Sequence, residues 1–406
     1  MISSKEALKA LARQASLQPQ EELMEIGKRG KRLQIGIPCE TSYQENRVAL
    51  VPDAVSVLVN NGHEIVVESQ AGKNAYYDDR AYSEAGARIA YDRKEVFQCD
   101  LILKVAPPSS EEIDMMGHKQ TLFSAIQLSI HPRDTLKKLM QKKVSAIAWD
   151  FIRDPDGIYP VVRAMGEIAG NAAVVIAAEY LSKSSGGQGL MLGGISGVAP
   201  TEVVIIGAGT VGEYACRAAL GMGSIVKVFD FSTSRLRRLQ NDVGQRLFTS
   251  IIQPEELKRS LMNADVAIGA LNSKEGRTPT VVTEDMVSAM KEGSIIVDIS
   301  IDKGGCFETS EPTNHTNPVF KKFGVTHYCV PNVASQVCRT ASMALSNIFT
   351  PLVLNIGKHG GCSGLIKDDI GFRNGVYLYN GTLTNESLGE AFNLPYKDID
   401  LLFAAF

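Results

Sequence analysis

The segment TEVVIIGAGTVGEYACRAALGMGSIVKVFD (201–230) limits the possible folds more sharply than anything else in the chain. The apolar run EVVIIG has the length of a buried strand rather than of a helix. It ends in Gly207-Ala-Gly209-Thr-Val-Gly212, passes into a helical pattern, and returns as a second strand, IVKVFD, that stops at Asp230. Glycine at 207 permits a tight turn, at 209 a close approach of a pyrophosphate to the backbone, and at 212 close packing of helix on strand. The N–H groups opening the helix then face the phosphates. Asp230 lies close to the ~20-residue spacing at which an acid meets the adenosine ribose, and its charge repels a 2′-phosphate, which favours NAD over NADP. Arg235, Arg237 and Arg238 follow directly and read as the exposed basic start of a helix.

A strand–helix–strand unit of this kind must extend into a larger parallel sheet. DVAIGAL (265–271), SIIVDIS (294–300) and VTHYCV (325–330) continue it, the last closing the sheet. An earlier series alternates in the same way. LQIGIP (33–38), EIVVES (64–69), DLILKV (100–105), QTLFSAI (120–126) and VSAIAWD (144–150) read as strands, and PDAVSVLVNNG (52–62) as a helix. The expected fold is therefore α/β, with two doubly wound parallel sheets. EIAGNAAVVIAAEYLSK (167–183) is helical and apolar almost all round, so burial is expected for it. TASMALSNIFTPLVLNIGKHG (340–360) is a long helix that ends at Gly360 and Gly361.

Composition removes several functional classes. With 42 basic and 45 acidic side chains, the chain carries no electrostatic footprint for nucleic acid. No uninterrupted apolar stretch approaches 18 residues, so no membrane insertion is expected. The seven cysteines form no CxxC pair and are odd in number, as expected of reduced thiols in a cytoplasmic protein. The six histidines show no metal-binding spacing, so no metal is expected. Residues 1–32 read as an amphipathic helical extension.

Three further positions carry chemistry. VDISIDKGGCFE (297–308) places Asp298 and Asp302 at the carboxyl end of a strand, where ligands of open α/β sheets bind. Each acid is either a turn cap or a group that orients an amine or moves a proton. Arg47 (in ENRVALVP) and Lys104 (in LILKVAPP) together would make a carboxylate clamp. By spacing alone, each is more often a surface charge.

Taken together, IGIPCETSYQENRVALVP, LILKVAPP, MGEIAG, the GAGTVG block and VDISIDKGGCFE resemble the alanine dehydrogenases and the α subunits of nicotinamide nucleotide transhydrogenases. The presence of Asp302 brings the chain closer to the dehydrogenases. The resemblance implies an NAD-binding domain (161–339) inserted into a discontinuous substrate domain (1–160 and 340–406), assembled as a homo-oligomer, hexamer or dimer. It implies that Arg47 and Lys104 hold a small-molecule amino acid or oxo-acid and that Asp302 is catalytic beside the nicotinamide. Gly207, Gly209, Thr210, Gly212, Asp230, Ile299, Asp302 and Asn332 would contact the cofactor. The activity implied is oxidation of L-alanine by NAD to pyruvate and ammonia. The other reading is a transhydrogenase-like or non-catalytic NAD(H)-binding module.

The sequence departs from that family pattern at several places. Gln127 in LFSAIQLSIHPR stands where the family carries its catalytic histidine, and an amide cannot titrate. Gly166 replaces a serine that contacts the cofactor phosphates. VASQVCRTAS (333–342) stands where the family reads MPxxVPxTS, and NSKEGRTP (272–279) stands in place of an apolar, proline-containing loop.

Overall fold

The computed structural model describes residues 30–126, 133–273 and 276–404. The N-terminal extension before Gly30, Gln127 and His131 lie outside the described residues. In chain order the strands are β1 (Gln34–Ile37), β2 (Glu64–Glu68), β3 (Arg88–Ala90), β4 (Leu101–Leu103), β5 (Thr121–Ser124) and β6 (Ser145–Ala148). Then follow β7 (Glu202–Ile206), β8 (Ile225–Asp230), β9 (Phe248–Ile251), β10 (Val266–Gly269), β11 (Ile295–Asp298), β12 (Val319–Lys322) and β13 (Val325–Tyr328). Last come β14 (Val376–Tyr379) and β15 (Thr382–Leu383). The chain divides into two compact units, residues 1–161 with 342–406, and residues 162–341.

The first unit is built on an eight-stranded sheet in the order β15-β14-β6-β5-β4-β1-β2-β3. Strands β1 to β6 are mutually parallel, and β14 and β15 add antiparallel at one edge. Reading outward from β1 the order is 3-2-1-4-5-6, so the winding reverses between β1 and β4, which pair directly through Ile35↔Leu101 and Gly36↔Ile102. Ligands of open α/β sheets bind at the carboxyl ends of strands at such a reversal. Nearly continuous apolar strands such as Leu101–Leu103, fully buried on both faces, are what a parallel sheet covered by helices requires.

The second unit carries a seven-stranded sheet in the order β12-β13-β11-β10-β7-β8-β9. The winding reverses between β7 and β10, which pair from Val203↔Val266 to Ile206↔Gly269. All neighbours are parallel except β12, which pairs antiparallel to β13. The sheet therefore ends on β12 and not on VTHYCV; its lysines 321 and 322 suit an edge position.

Two helices, Pro160–Leu181 and Val333–Lys358, have the length and mean hydropathy to cross a membrane. The sequence expectation counted uninterrupted apolar runs and missed this. Neither is buried all round. In Pro160–Leu181, Ala173, Val174, Ile176, Ala177 and Leu181 pack into the core of the second unit. Val162, Arg163, Asn171, Val175 and Glu179 remain exposed on the other side, and Arg163 is paired with Glu167 one turn on. One buried stripe and one exposed, partly charged stripe are the pattern of a helix lying on a sheet.

Candidate active site

The glycine turn follows β7 at the winding reversal of the second unit. Gly207 has φ +118°, and a Cβ there would lie 2.4 Å from the carbonyl oxygen of Ala270, in the loop leaving β10. A Cβ on Gly212 would lie 1.8 Å from the oxygen of Gly207. Both glycines are therefore required by the fold itself. Gly209 is different. Its φ of −81° suits any residue, and a Cβ there meets nothing within 4 Å. Nothing in the protein asks for glycine at 209, and the space in front of it is open. Thr210 begins the helix Thr210–Gly221, and a side chain at position 166 would touch it at 3.4 Å, so the serine-to-glycine departure lies at the same end of the turn.

Asp230 ends β8 and is 1 % exposed. Its carboxylate accepts the Ala208 N–H at 2.7 Å and the Ser232 N–H at 2.8 Å. It thus fixes the glycine turn while each oxygen keeps a second lone pair. Arg235 reaches to 3.8 Å from it, and Arg238 donates to the Ala208 carbonyl at 3.1 Å. The arginines do open a helix, as read, but two of them turn back over this acid and turn.

The two acids after β11 separate into different roles. Asp298 is 1 % exposed and accepts from Ser300 N, Cys306 N and Ser310 Oγ at 3.0, 3.0 and 2.8 Å. Burial pushes its pKa up against those hydrogen bonds. It shapes the loop from Ile299 to Cys306. Asp302 is exposed, in the short turn Ile299–Lys303, and accepts the N–H of Asn332 at 2.8 Å. Asn332 holds a left-handed conformation, φ 56°. Asp302, Ile299 and Asn332 thus gather at the carboxyl ends of β11 and β13.

In the first unit the clamp residues flank the β1/β4 reversal. Lys104 directly follows β4 and is 1 % exposed. Its Nζ lies 2.9 Å from Glu40 Oε2 and 3.2 Å from Glu112 Oε1. Burial alone would lower its pKa, but the two carboxylates hold it above the ordinary lysine value. Glu40 also accepts the Val105 N–H at 2.6 Å, yet burial keeps its carboxyl above the usual range. One ammonium shared between two buried carboxylates accounts for both directions; Glu112 has a second partner in Arg93.

Arg47 is 7 % exposed and makes a two-pronged pair with Glu45, Nε to Oε1 at 2.7 Å and Nη2 to Oε2 at 2.6 Å. The segment behind it is pinned by two serines of the long C-terminal helix. Val48 N donates to Ser342 Oγ and Val51 N to Ser346 Oγ, both at 2.9 Å. Neither cation is the surface charge that spacing alone suggested: both are buried, oriented and paired. Glu40, Glu45 and Glu112 were not singled out from the sequence. Glu45 and Glu112 lie two and eight residues from their cations and Glu40 lies 64 from Lys104, and an acid with no periodicity of its own gives no separate signal at any of these separations.

Two family profiles match the chain: "Alanine dehydrogenase/PNT, N-terminal domain" over residues 36–169 and "Alanine dehydrogenase/PNT, C-terminal domain" over 173–386. The chain belongs to this family. It is 38 % identical over 367 residues to the alanine dehydrogenase of Staphylococcus saprophyticus, covering 90 % of this chain and 98 % of that one. The alanine dehydrogenase of Halomonas elongata is 39 % identical, with the same coverage. Among solved structures, an L-alanine dehydrogenase superposes with a TM-score of 0.84 at 35 % identity, covering 89 % of this chain and 99 % of that one. A transhydrogenase from Sinorhizobium meliloti shares the fold, with a TM-score of 0.75 at 22 % identity.

Proposed function

We propose that the chain is an NAD-dependent L-alanine dehydrogenase, converting L-alanine, NAD+ and water to pyruvate, ammonia and NADH. The observation that carries this reading is the buried pair of cations, Lys104 and Arg47, at the winding reversal of a sheet in a member of the alanine dehydrogenase/PNT family. A lysine 1 % exposed costs too much to bury for solubility alone. The first unit is the substrate domain and the second the nucleotide domain.

The second unit fits a dinucleotide. The open space at Gly209 leaves room for a pyrophosphate at the N-terminus of the helix Thr210–Gly221, and Asp230 offers its free lone pairs to the ribose. Thr210, Ile299 and Asn332 complete the cofactor contacts. When bound, NAD+ accepts the hydride from the substrate Cα. Arg47 takes the substrate carboxylate in exchange for its two-pronged hold on Glu45, because a guanidinium fits either carboxylate equally. Lys104 donates toward the oxygen that becomes the carbonyl, its charge kept by Glu40 and Glu112. Asp302, exposed and aimed by the Asn332 N–H, orients the amine. Gln127, where the family carries its histidine, is an amide and moves no proton. A homo-oligomer accords with the exposed apolar side chains Met191, Ile195 and Val198 of the second unit.

The test is NADH formation with a panel of amino acids beside direct NADH titration. Alanine is expected to be the preferred donor. NADH binding without turnover of any amino acid would replace this reading by that of a nucleotide-binding module.

A further inference from the structure

The proposed reaction has a hydrolytic half, and Gln127 cannot serve it. Water must add to an iminium carbon and ammonia must leave, each with a proton moving. A titrating group at the carboxyl ends of β1, β4, β5 or β6 is needed. Lys104 is held charged by two carboxylates, and Arg47 does not titrate. Glu40, Glu45 and Glu112 on that edge are held in ion pairs with Lys104, Arg47 and Arg93, and a further acid lies outside those pairs. Asp150 follows β6 within the turn Trp149–Phe151. Its Oδ1 accepts the N–H of Ile126, just beyond β5, at 3.2 Å. The neighbouring Trp149 donates its indole N–H to the carbonyl of Val105 at 3.2 Å, and Val105 N binds Glu40. Asp150 is thus tied to the Lys104 segment through a continuous set of contacts. Two strand spacings separate β6 from β4, about 10 Å of backbone that two side chains and a three-carbon substrate can bridge.

Resting on the alanine reading, the geometry points to Asp150 as the group that carries the proton in the hydrolytic half-reaction. As the C–O bond forms, one proton of water passes to the Asp150 carboxylate. The carboxyl returns it to the nitrogen of the carbinolamine. The C–N bond then breaks with its electron pair staying on nitrogen, and the hydroxyl proton released as C=O forms goes to the same carboxylate and on to ammonia. Iminium and water become oxo acid and ammonium, with no redox change. Asp150 is suited to this exchange. It is mostly buried yet keeps some surface open, and burial raises its pKa to about 7 against the Ile126 and own-backbone hydrogen bonds. The titratable group facing it from the neighbouring edge is Tyr377 of β14, itself pushed up by burial. Neither Lys104 after β4 nor any other cation contributes to the Asp150 shift.

Trp149 is the chain's single tryptophan, so its emission reports on the adjacent carboxyl. In the full chain without ligand, emission titrated from pH 5 to 9 is expected to change with a midpoint near 7, and Asp150→Asn is expected to remove that midpoint. The same variant should lose about 10²–10⁴-fold in alanine turnover. It should also lose the near-neutral limb of the pH–rate profile and bind NADH normally. Asp150→Glu should recover part of the rate. An emission midpoint that persists in Asp150→Asn, or turnover within threefold of wild type, overturns the inference. If the wild type binds NADH but turns over no amino acid, the alanine reading fails, and the emission titration still decides whether Asp150 titrates here.

Discussion

Gly209 and Gly212 sit three residues apart in one turn, yet the structure assigns them opposite sensitivities. An alanine Cβ at 212 would come within 1.8 Å of the Gly207 oxygen, where real Cβ atoms stay beyond 3.0 Å, so the backbone must shift by more than an ångström. Overpacking of this kind costs about 1–3 kcal/mol, and this clash with a carbonyl belongs at the upper end or beyond. At 209 the Cβ meets nothing, and the extended φ and ψ of −81° and −168° suit alanine. Losing glycine at a helix N-cap costs a few tenths to about 1 kcal/mol, and the smaller entropy of the unfolded chain returns about 0.4–1 kcal/mol. Gly209→Ala should therefore leave the denaturation midpoint nearly unchanged. The methyl group would occupy the space through which a pyrophosphate reaches the backbone, so NADH affinity should fall at least tenfold, about 1.4 kcal/mol. Gly212→Ala should lower the denaturation midpoint without NADH present. Urea denaturation and NADH fluorescence titration of both variants test this. A Gly209→Ala protein that folds and binds NADH like the wild type would refute the assignment of this turn as the phosphate cradle.

Lys104→Ala and Arg47→Ala should each reduce alanine turnover by far more than the ~1 kcal/mol of a surface ion pair, with NADH affinity unchanged. Lys104→Ala should also destabilise by about 3–5 kcal/mol because it strands buried carboxylates, and adding Glu40→Gln should recover much of that loss in a denaturation series. NADH should bind more tightly than NADPH by fluorescence titration, since the Asp230 carboxylate repels a 2′-phosphate; equal affinity would mean that Arg235, 3.8 Å away, has taken over as a phosphate ligand. For Asp150 the raised native pKa means that its stabilising contribution is complete below the unfolded value and is lost as pH rises through about 7. Asp150→Asn should therefore raise the thermal midpoint relative to wild type at pH 8.5 more than at pH 5.5, and an equal difference at both would show that Asp150 is ionised throughout.

The second sheet was legible because its signals are local. Gly207 to Asp230 packs turn, helix and strand into one run, and the two constrained glycines are required by contacts inside that same run or its neighbour loop. The strands at the sheet edges were not legible. Val319–Lys322 has only four residues and joins as a local antiparallel hairpin with Val325–Tyr328, and Val376–Tyr379 joins the main sheet only by pairing with Ile147 and Ala146 across the chain. The site divided along the same line. Lys104 was visible as a lysine ending an apolar strand. Its partners Glu40 and Glu112 were not: Glu40, 64 residues away, is brought in by the β1/β4 pairing, and Glu112 by the return of the chain after β4. Asp150 was not singled out because in VSAIAWD it reads as the last residue of a strand; burial, which the sequence does not show, makes it chemically unusual.

The departures from the family pattern fall where the strand order makes them least costly to the fold and most consequential for chemistry. Gln127 follows β5, NSKEGRTP follows β10, and VASQV follows β13, so each lies in a segment leaving the carboxyl end of a strand. The strands themselves keep the continuous apolar character that two helix-covered sheets demand. One replaced segment also shows how function is supported after the change. Ser342 closes VASQVCRTAS and accepts the Val48 N–H, with Ser346 one turn later holding Val51. The prolines are gone, yet the segment still anchors the loop that presents Arg47. On the proposed function, the chain thus keeps Arg47 and Lys104 for the substrate while its sequence has glutamine at 127 in place of the family histidine. On that reading the demand for a proton carrier falls on the remaining strand ends of the same sheet, where the segment after β6 supplies Asp150, an acid outside the ion pairs of Lys104 and Arg47.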